Sequence, residues 1–266
     1  MRAFSWILFA CGLICLIGLG AWYYGAPPAE KSGAGPTAPV EEAWLDQLYS
    51  QNPIEAAASA EYVKKQGPAA LPLIHATLQD PHASAERVKA AIKACALLGS
   101  AAAPAIDEVA ESLPDPALTS EAAAALSFMG RGAFKPLRQS LTSDDPVVRR
   151  EALRSIGKLK ERAPLDGRAV LPLLVNGMED PDPGVRTVAA TYLGIVHEEP
   201  AEAVRVLATG LEDPEVNVRR ASAVALAAFG TAAEPALPAL RKAAVDPDAD
   251  VAREAGVTLV KLQPSK

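Results

Sequence analysis

The stretch Asp180-Pro-Asp-Pro-Gly-Val-Arg-Thr-Val-Ala-Ala-Thr-Tyr-Leu-Gly194 decides how this chain is read. It opens with turn residues and runs into a segment where Val185, Ala189 and Leu193 recur every fourth position, one face of a helix. Weaker copies begin at Asp80, Asp115, Ser143, Asp213 and Asp246, so the starts are separated by 35, 28, 37, 33 and 33 residues. Periods of this size belong to helical repeat arrays.

The copies share a plan. Asp-Pro at Asp80, Asp115, Asp145, Asp180, Asp182, Asp213 and Asp246 supplies helix-start chemistry: Asp accepts bonds from unpaired amides, and Pro fits a first turn. Then come Val148, Ala152 and Ile156, or Val218, Ser222 and Leu226, or Val251, Ala255 and Leu259. The small middle residue lets neighbouring helices approach closely. Gly157 and Gly194 fit a helix stop.

A second helix precedes the copy at Asp80 and follows every copy except the one at Asp246. Its stripe is Leu71/Ile74/Leu78, Ile106/Val109/Leu113, Phe134/Leu137/Leu141, Leu171/Leu174/Met178, Val204/Leu207/Leu211 and Leu237/Leu240/Ala244. The i, i+3, i+7 spacing predicts an inward face in all six. Pro72, Pro172 and Pro238 fall early in these helices, where a missing amide costs little. Residues 53–262 are therefore predicted to form six helix pairs and a final helix, an all-α solenoid. Residues 41–52 precede them as a short capping helix, with Trp44, Leu45 and Leu48 covering the open end.

Composition agrees with an array of close-packed helices. Aromatics are only 5% of the 266 residues, and alternating strand-like runs are missing. A net charge of −6 with interspersed signs gives no general attraction to phosphates. Cys11 and Cys15 lie in the leader, which leaves Cys95 without a disulfide partner in the array; it reads as a small buried hydrophobe.

Residues 1–24 hold 21 uncharged positions from Phe4 to Tyr24. As a helix this run is about 31 Å long, enough for a bilayer core. Arg2 precedes it and Trp22, Tyr23 and Tyr24 close it, so the leader is expected to be a single-pass anchor with a cytoplasmic N-terminus and exported repeats. A cleaved signal ending near Gly18-Leu-Gly20 and a lipoprotein site at Cys11 are the alternative readings. Residues 25–40, rich in Pro, Gly and Ala, read as an extended tether.

Asp-Pro, then Val-Arg, then Ala, then Leu-Gly, followed by a Leu-Pro-x-Leu helix, resembles the HEAT repeat, most closely the short bacterial type of the phycobilin lyases. The resemblance spans about residues 53–262. It implies that the Arg after the Val joins the loop Asp in a ladder between repeats. Arg149, Arg186 and Arg219 match that position and Asp180 is one such loop residue, whereas Glu86, Glu121 and Ala252 interrupt the pattern. The resemblance also implies that the second helices line the inner, concave surface.

Catalytic signals are sparse. His75, His82 and His197 form no metal-binding spacing, and the single His-Glu pair, His197-Glu198, contrasts with the several pairs of the HEAT-like deoxyhypusine hydroxylases. Asp107, Glu108 and Glu111 read as a solvated helix face. The insertion Lys158–Arg168 reads as a longer loop in the fourth repeat. A bilin-lyase activity is the enzymatic alternative implied by the resemblance. The second-helix positions left outside alternate in sign, which disfavours nucleic acid. The sequence thus predicts a membrane-tethered, non-enzymatic scaffold with no cofactor and no metal. A protein or extended peptide would be its partner, with Lys135, Arg138, Arg205, Arg241 and Lys242 as the leading contacts.

Overall fold

The computed structural model describes residues 43–196 and 199–262, all helix and connecting turn. The leader, the tether and the pair His197-Glu198 lie outside the described residues. The short helix α1 (Ala43–Gln47) comes first. Six pairs follow: α2 (Pro53–Gln66) with α3 (Leu71–Leu78), α4 (Ala85–Leu98) with α5 (Ile106–Glu111), α6 (Thr119–Leu126) with α7 (Phe134–Ser140), α8 (Pro146–Arg162) with α9 (Gly167–Gly177), α10 (Pro183–Leu193) with α11 (Pro200–Gly210), and α12 (Val216–Leu226) with α13 (Leu237–Ala243). The last helix is α14 (Ala249–Leu262).

The stripes form the core between the two layers. Ile74, Val109, Leu137, Leu174, Leu207 and Leu240 at the centres of the second helices are fully buried. Burying one such side chain contributes about 1.5–3 kcal/mol. On the first helices Ala152, Ala189, Ser222 and Ala255 are also fully buried, which is why successive first helices can stack directly on one another. At the open end, Trp44, Leu45 and Leu48 are buried. The Ser59 hydroxyl donates to the Trp44 carbonyl, and Lys93 Nζ donates to the Leu48 carbonyl at 2.7 Å.

Several local details differ from the sequence reading. Asp145 and Asp182 do cap α8 and α10. Asp80, Asp115, Asp180, Asp213 and Asp246 instead accept from the backbone amide two residues on, closing a turn ahead of the helix. The chain turns from first to second helix at Gly67, Gly99 and Gly230, with φ of 52–58° and ψ near −130°, values that a side chain disfavours.

Gly157 does not stop a helix; it lies within α8. A Cβ there would fall 2.2 Å from Tyr192 Cδ1, so the glycine makes room for a ring of the next repeat. Gly194 does end α10, but with an ordinary helical φ of −65°; a Cβ there would press on Ala225 at 3.0 Å. The insertion at Lys158–Arg168 is mostly helix, because α8 runs on to Arg162. Its extra turn rests on the third repeat: Arg162 lies 4.2 Å from the Phe128 ring centre and bonds Ser127 Oγ at 3.2 Å. Pro172 sits in the interior of α9 rather than its first turn, since Gly167 opens that helix.

Two stretches, Ala85–Glu111 and Val216–Ala243, are apolar and long enough to cross a membrane by composition. In each, a turn at Gly99 or Gly230 separates two helices, and their buried apolar side chains lie in the core of the array.

Three junctions carry a repeated polar tie. Arg149 gives Nε and Nη2 to the two carboxylate oxygens of Asp180, both at 2.8 Å. Arg186 holds Asp213 in the same way at 2.8 and 2.9 Å, and Arg219 holds Asp246 at 2.8 and 3.0 Å. The remaining Nη1 of each arginine bonds two carbonyls of its own preceding turn, for example Asp180 and Pro181 for Arg186. The ties stop at the third repeat, where Ser143 occupies the loop position and bonds the Asp145 amide, and Glu121 occupies the arginine position.

Candidate functional site: the face of the second helices

With the stripe inward, the opposite side of each second helix meets solvent. Lys135 and Arg138 on α7, Arg205 on α11, and Arg241 and Lys242 on α13 are all exposed. Four of the five make no ion pair among the described residues. Lys242 is the exception: its Nζ lies 2.8 Å from Glu212 across the fifth junction, so part of its charge is already answered. The cations do not converge on one point, because they are distributed over three of the six repeats.

The second helices stand far enough apart to leave a groove at successive junctions. Asp107 and Glu111 of α5 face Pro136 and Gln139 of α7 across an open, acidic groove. Between α7 and α9 lies a cavity of about 490 Å3 with Arg138 at its edge. Arg205 and Thr209 of α11 face Met178 and Glu179 beyond α9. Glu212 and Lys242 border the last groove, beside Val245, which is 81% exposed. The ladder pairs form part of the groove walls, since Arg149 and Asp180 line the second of these and Arg219 and Asp246 the last.

At the first junction the face is closed by a different contact. Glu108 is not a solvated residue: its Oε1 lies 2.8 Å from His75 Nδ1 and accepts from Gln79 Nε2 at 3.2 Å. Burial opposes the ionisation of Glu108, and its backbone bond and His75 together outweigh it, so its pKa is lowered. The signal missed in the sequence is the 33-residue separation of His75 and Glu108, one repeat period. Cys95 lies nearby and is fully buried. Burial, with the Glu108 charge adding to it, pushes its thiol up to about 12, which leaves it protonated and unreactive.

The ladder groups are electrostatically settled. The bond from Arg149 holds the Asp180 carboxyl below the usual carboxylate range, and Arg219 does the same for Asp246. At Asp213 burial works against ionisation, but the bonds from Arg186 and the Glu215 amide prevail. The face therefore offers fixed ion pairs in its walls and, apart from Lys242, exposed cations on its ridges that make no ion pair among the described residues. That arrangement can hold carboxylates; it presents no grouping of three His, Cys, Asp or Glu side chains for a metal among the described residues.

The fold is an α-solenoid built of repeated helix pairs. Residues 134–201 and 171–260 match the family model for HEAT repeats, so HEAT repeats build this part of the chain. No curated protein matches the sequence. Among solved structures, Kap95p in its complex with RanGDP is similar with a TM-score of 0.57 at 15% identity, over 83% of this chain and 35% of that one. YibA of Escherichia coli gives 0.52 at 15% identity, over 85% and 93%. The complex of CpcE and CpcF of phycocyanin lyase from Nostoc sp. PCC7120 gives 0.51 at 22% identity, over 59% and 98%. At these identities the likeness concerns the fold.

Proposed function

We propose that this chain is a membrane-tethered, non-enzymatic scaffold whose second-helix face holds an extended, acidic protein segment. One observation carries the reading. Lys135, Arg138, Arg205 and Arg241 stand exposed on the second helices with no ion pair among the described residues, while Arg149, Arg186 and Arg219 on the first helices are fully engaged. Unpaired cations above open grooves suit a partner bound by many modest, salt-sensitive contacts. A protein partner is consistent with the fold-level analogy to Kap95p, which binds RanGDP. The tether belongs to the same reading and rests on the uncharged run from Phe4 to Tyr24.

The test is partner capture from detergent-solubilised native membranes, read by quantitative mass spectrometry. Reversing Arg138 and Arg241 together to Glu is expected to weaken capture while leaving the helical circular-dichroism signal unchanged. Reversing Arg150 and Arg220 on the first helices is expected to do much less. Loss of capture with the first-helix pair alone would place the binding face on the other layer.

A further inference from the structure

The cavity between α7 and α9 is chemically divided. Leu141 and Leu173 supply apolar surface, backed by the buried Leu153 and Val185, and Arg138 and Asn176 stand at the edge. Leu153 is fully buried, and Arg138 is exposed. Arg149 also borders the cavity, but its guanidinium is committed to Asp180 and to the carbonyls of Ser143 and Asp144. The Arg138 side chain makes no hydrogen bond or ion pair among the described residues. An apolar floor beside an unanswered cation is complementary to a ligand with an apolar group next to a carboxylate.

The neighbouring grooves set limits on such a ligand. Toward the N-terminus, Asp107 and Glu111 repel a carboxylate. Toward the C-terminus, Arg205 is the next unpaired cation on this face. Directly packed helices lie roughly 8–10 Å apart, and the grooves between the second helices make each step here at least that long. Two steps, from α7 to α11, therefore separate Arg138 and Arg205 by at least about 16–20 Å, a span of no fewer than about five or six extended residues.

We propose that this cavity is the anchor point for an acidic peptide segment: one large apolar side chain enters it, a flanking carboxylate meets Arg138, and a second carboxylate at least about five or six residues on meets Arg205. The proposal rests on the reading of the second-helix face as the binding face. At about 490 Å3 the cavity has room for an aromatic side chain and its adjoining backbone. A large side chain buried in a pocket, with charged contacts around it, is the arrangement that concentrates binding energy in few residues. The Arg149–Asp180 pair serves as a fixed wall: its four side-chain hydrogen bonds hold the edge of the cavity before anything binds.

The test uses the full chain in a non-ionic detergent and fluorescein-labelled synthetic peptides, read by fluorescence anisotropy. The first peptide carries one tryptophan flanked by aspartates, with a further aspartate pair placed for Arg205, on a serine–glycine background. A second replaces the tryptophan with serine, and a third replaces the aspartates with lysine. The first peptide is expected to bind at least about tenfold more tightly than either control, the loss that follows from one charged hydrogen bond or one anchor side chain. Arg138→Ala is expected to weaken it by a similar factor. Asn176→Trp, a substitution at an exposed position that fills the cavity from its edge, is expected to remove the advantage of the tryptophan peptide over the serine one. Equal binding of the tryptophan and serine peptides, or no measurable binding of any, overturns the anchor. If the tryptophan makes no difference but Arg205→Glu and Arg241→Glu still weaken acidic peptides, the anchor alone fails and the binding face stands. If only the first-helix reversals matter, both fail.

Discussion

Arg186 grips Asp213 of the following repeat through two parallel bonds, Nε to Oδ2 at 2.8 Å and Nη2 to Oδ1 at 2.9 Å, while its third nitrogen holds the turn before its own helix. One side chain thus fixes both the turn and the junction. Both partners are largely sheltered, with side-chain exposures of 13% and 11%. Arg87, by contrast, reaches Asp46 at 3.3 Å in an exposed pair. Arg186→Ala is therefore expected to lower stability by about 1.5–3 kcal/mol and Arg87→Ala by about 0–1 kcal/mol. Urea midpoints read by circular dichroism decide it; equal midpoints remove the argument.

The same ties give a pH dependence. Asp180, Asp213 and Asp246 have carboxyls held below their ordinary value, chiefly by their arginine partners at Asp180 and Asp246 and against the effect of burial at Asp213. A carboxyl with a depressed folded-state pKa contributes stability above its unfolded value, about 3.9. That contribution is lost as the pH falls through the lower folded value. The melting temperature should fall on acidification below about pH 4. Asp213→Asn should start lower at neutral pH and lose less over the acid range. Parallel curves for the two proteins would show that the ladder does not govern acid sensitivity.

Gly157 and Gly256 offer a contrast between two helical glycines. At Gly256, in α14, a Cβ would meet nothing within 4 Å, and alanine there should stabilise by about 0.5–1 kcal/mol by removing backbone freedom from the unfolded chain. At Gly157 the same Cβ would lie 2.2–2.5 Å from three atoms of the Tyr192 ring. Gly157→Ala should destabilise by about 1–3 kcal/mol through overpacking, and a smaller residue at position 192 should relieve most of it. The measurement is a thermal-unfolding cycle over both positions; additive effects would sink the assignment.

This pair also marks how far a sequence can be read. The core stripe, such as Ile74 in one repeat and Leu174 in another, is visible because a helix places every third or fourth residue on one side, a local rule. The all-helical repeat architecture follows from it. Tyr192 and Gly157, however, are 35 residues apart, and only the stacking of two repeats brings them together. The sequence therefore suggested a helix stop at Gly157. The same holds for the binding face. That Lys135 and Arg138 point outward follows from periodicity, but the apolar cavity beside Arg138 is assembled from four helices and their turns. The pairing of Glu108 with His75, and that of Lys242 with Glu212, likewise depends on how far one repeat is rotated on the next.

Ser222 and Ser155 are both buried, yet they differ in their partners. Ser155 Oγ donates to the Ala123 carbonyl of the preceding repeat at 2.7 Å. Among the described residues Ser222 Oγ has no hydrogen-bond partner, at a position where the neighbouring repeats place Ala152, Ala189 and Ala255. A buried hydroxyl without a partner costs about 1–3 kcal/mol. Ser222→Ala should raise stability by about 1 kcal/mol or more, and Ser155→Ala should lower it by about 1 kcal/mol. Denaturant midpoints that move in the same direction for both would contradict this account.

The last expectation concerns the leader. Arg2 precedes the 21-residue uncharged run, and Trp22, Tyr23 and Tyr24 follow it. A positive flank retained in the cytoplasm orients such a segment with its C-terminal side exported. A run of this length exceeds the ~7–15 apolar residues of a cleaved signal. The mature protein should therefore keep its leader and stay with membranes through high-salt and carbonate washes. A reporter active only outside the cytoplasm, fused after Lys266, should be active. The two apolar stretches of the array should not add spans, because a turn at Gly99 or Gly230 breaks each into two shorter helices whose inward apolar side chains are already buried against neighbouring repeats. Deleting residues 1–24 should accordingly give a fully soluble array with an unchanged helical signal. A natural soluble form beginning near Ala21 or Ala26 would show cleavage instead, and membrane retention of the truncated array would show that the repeats themselves hold the bilayer.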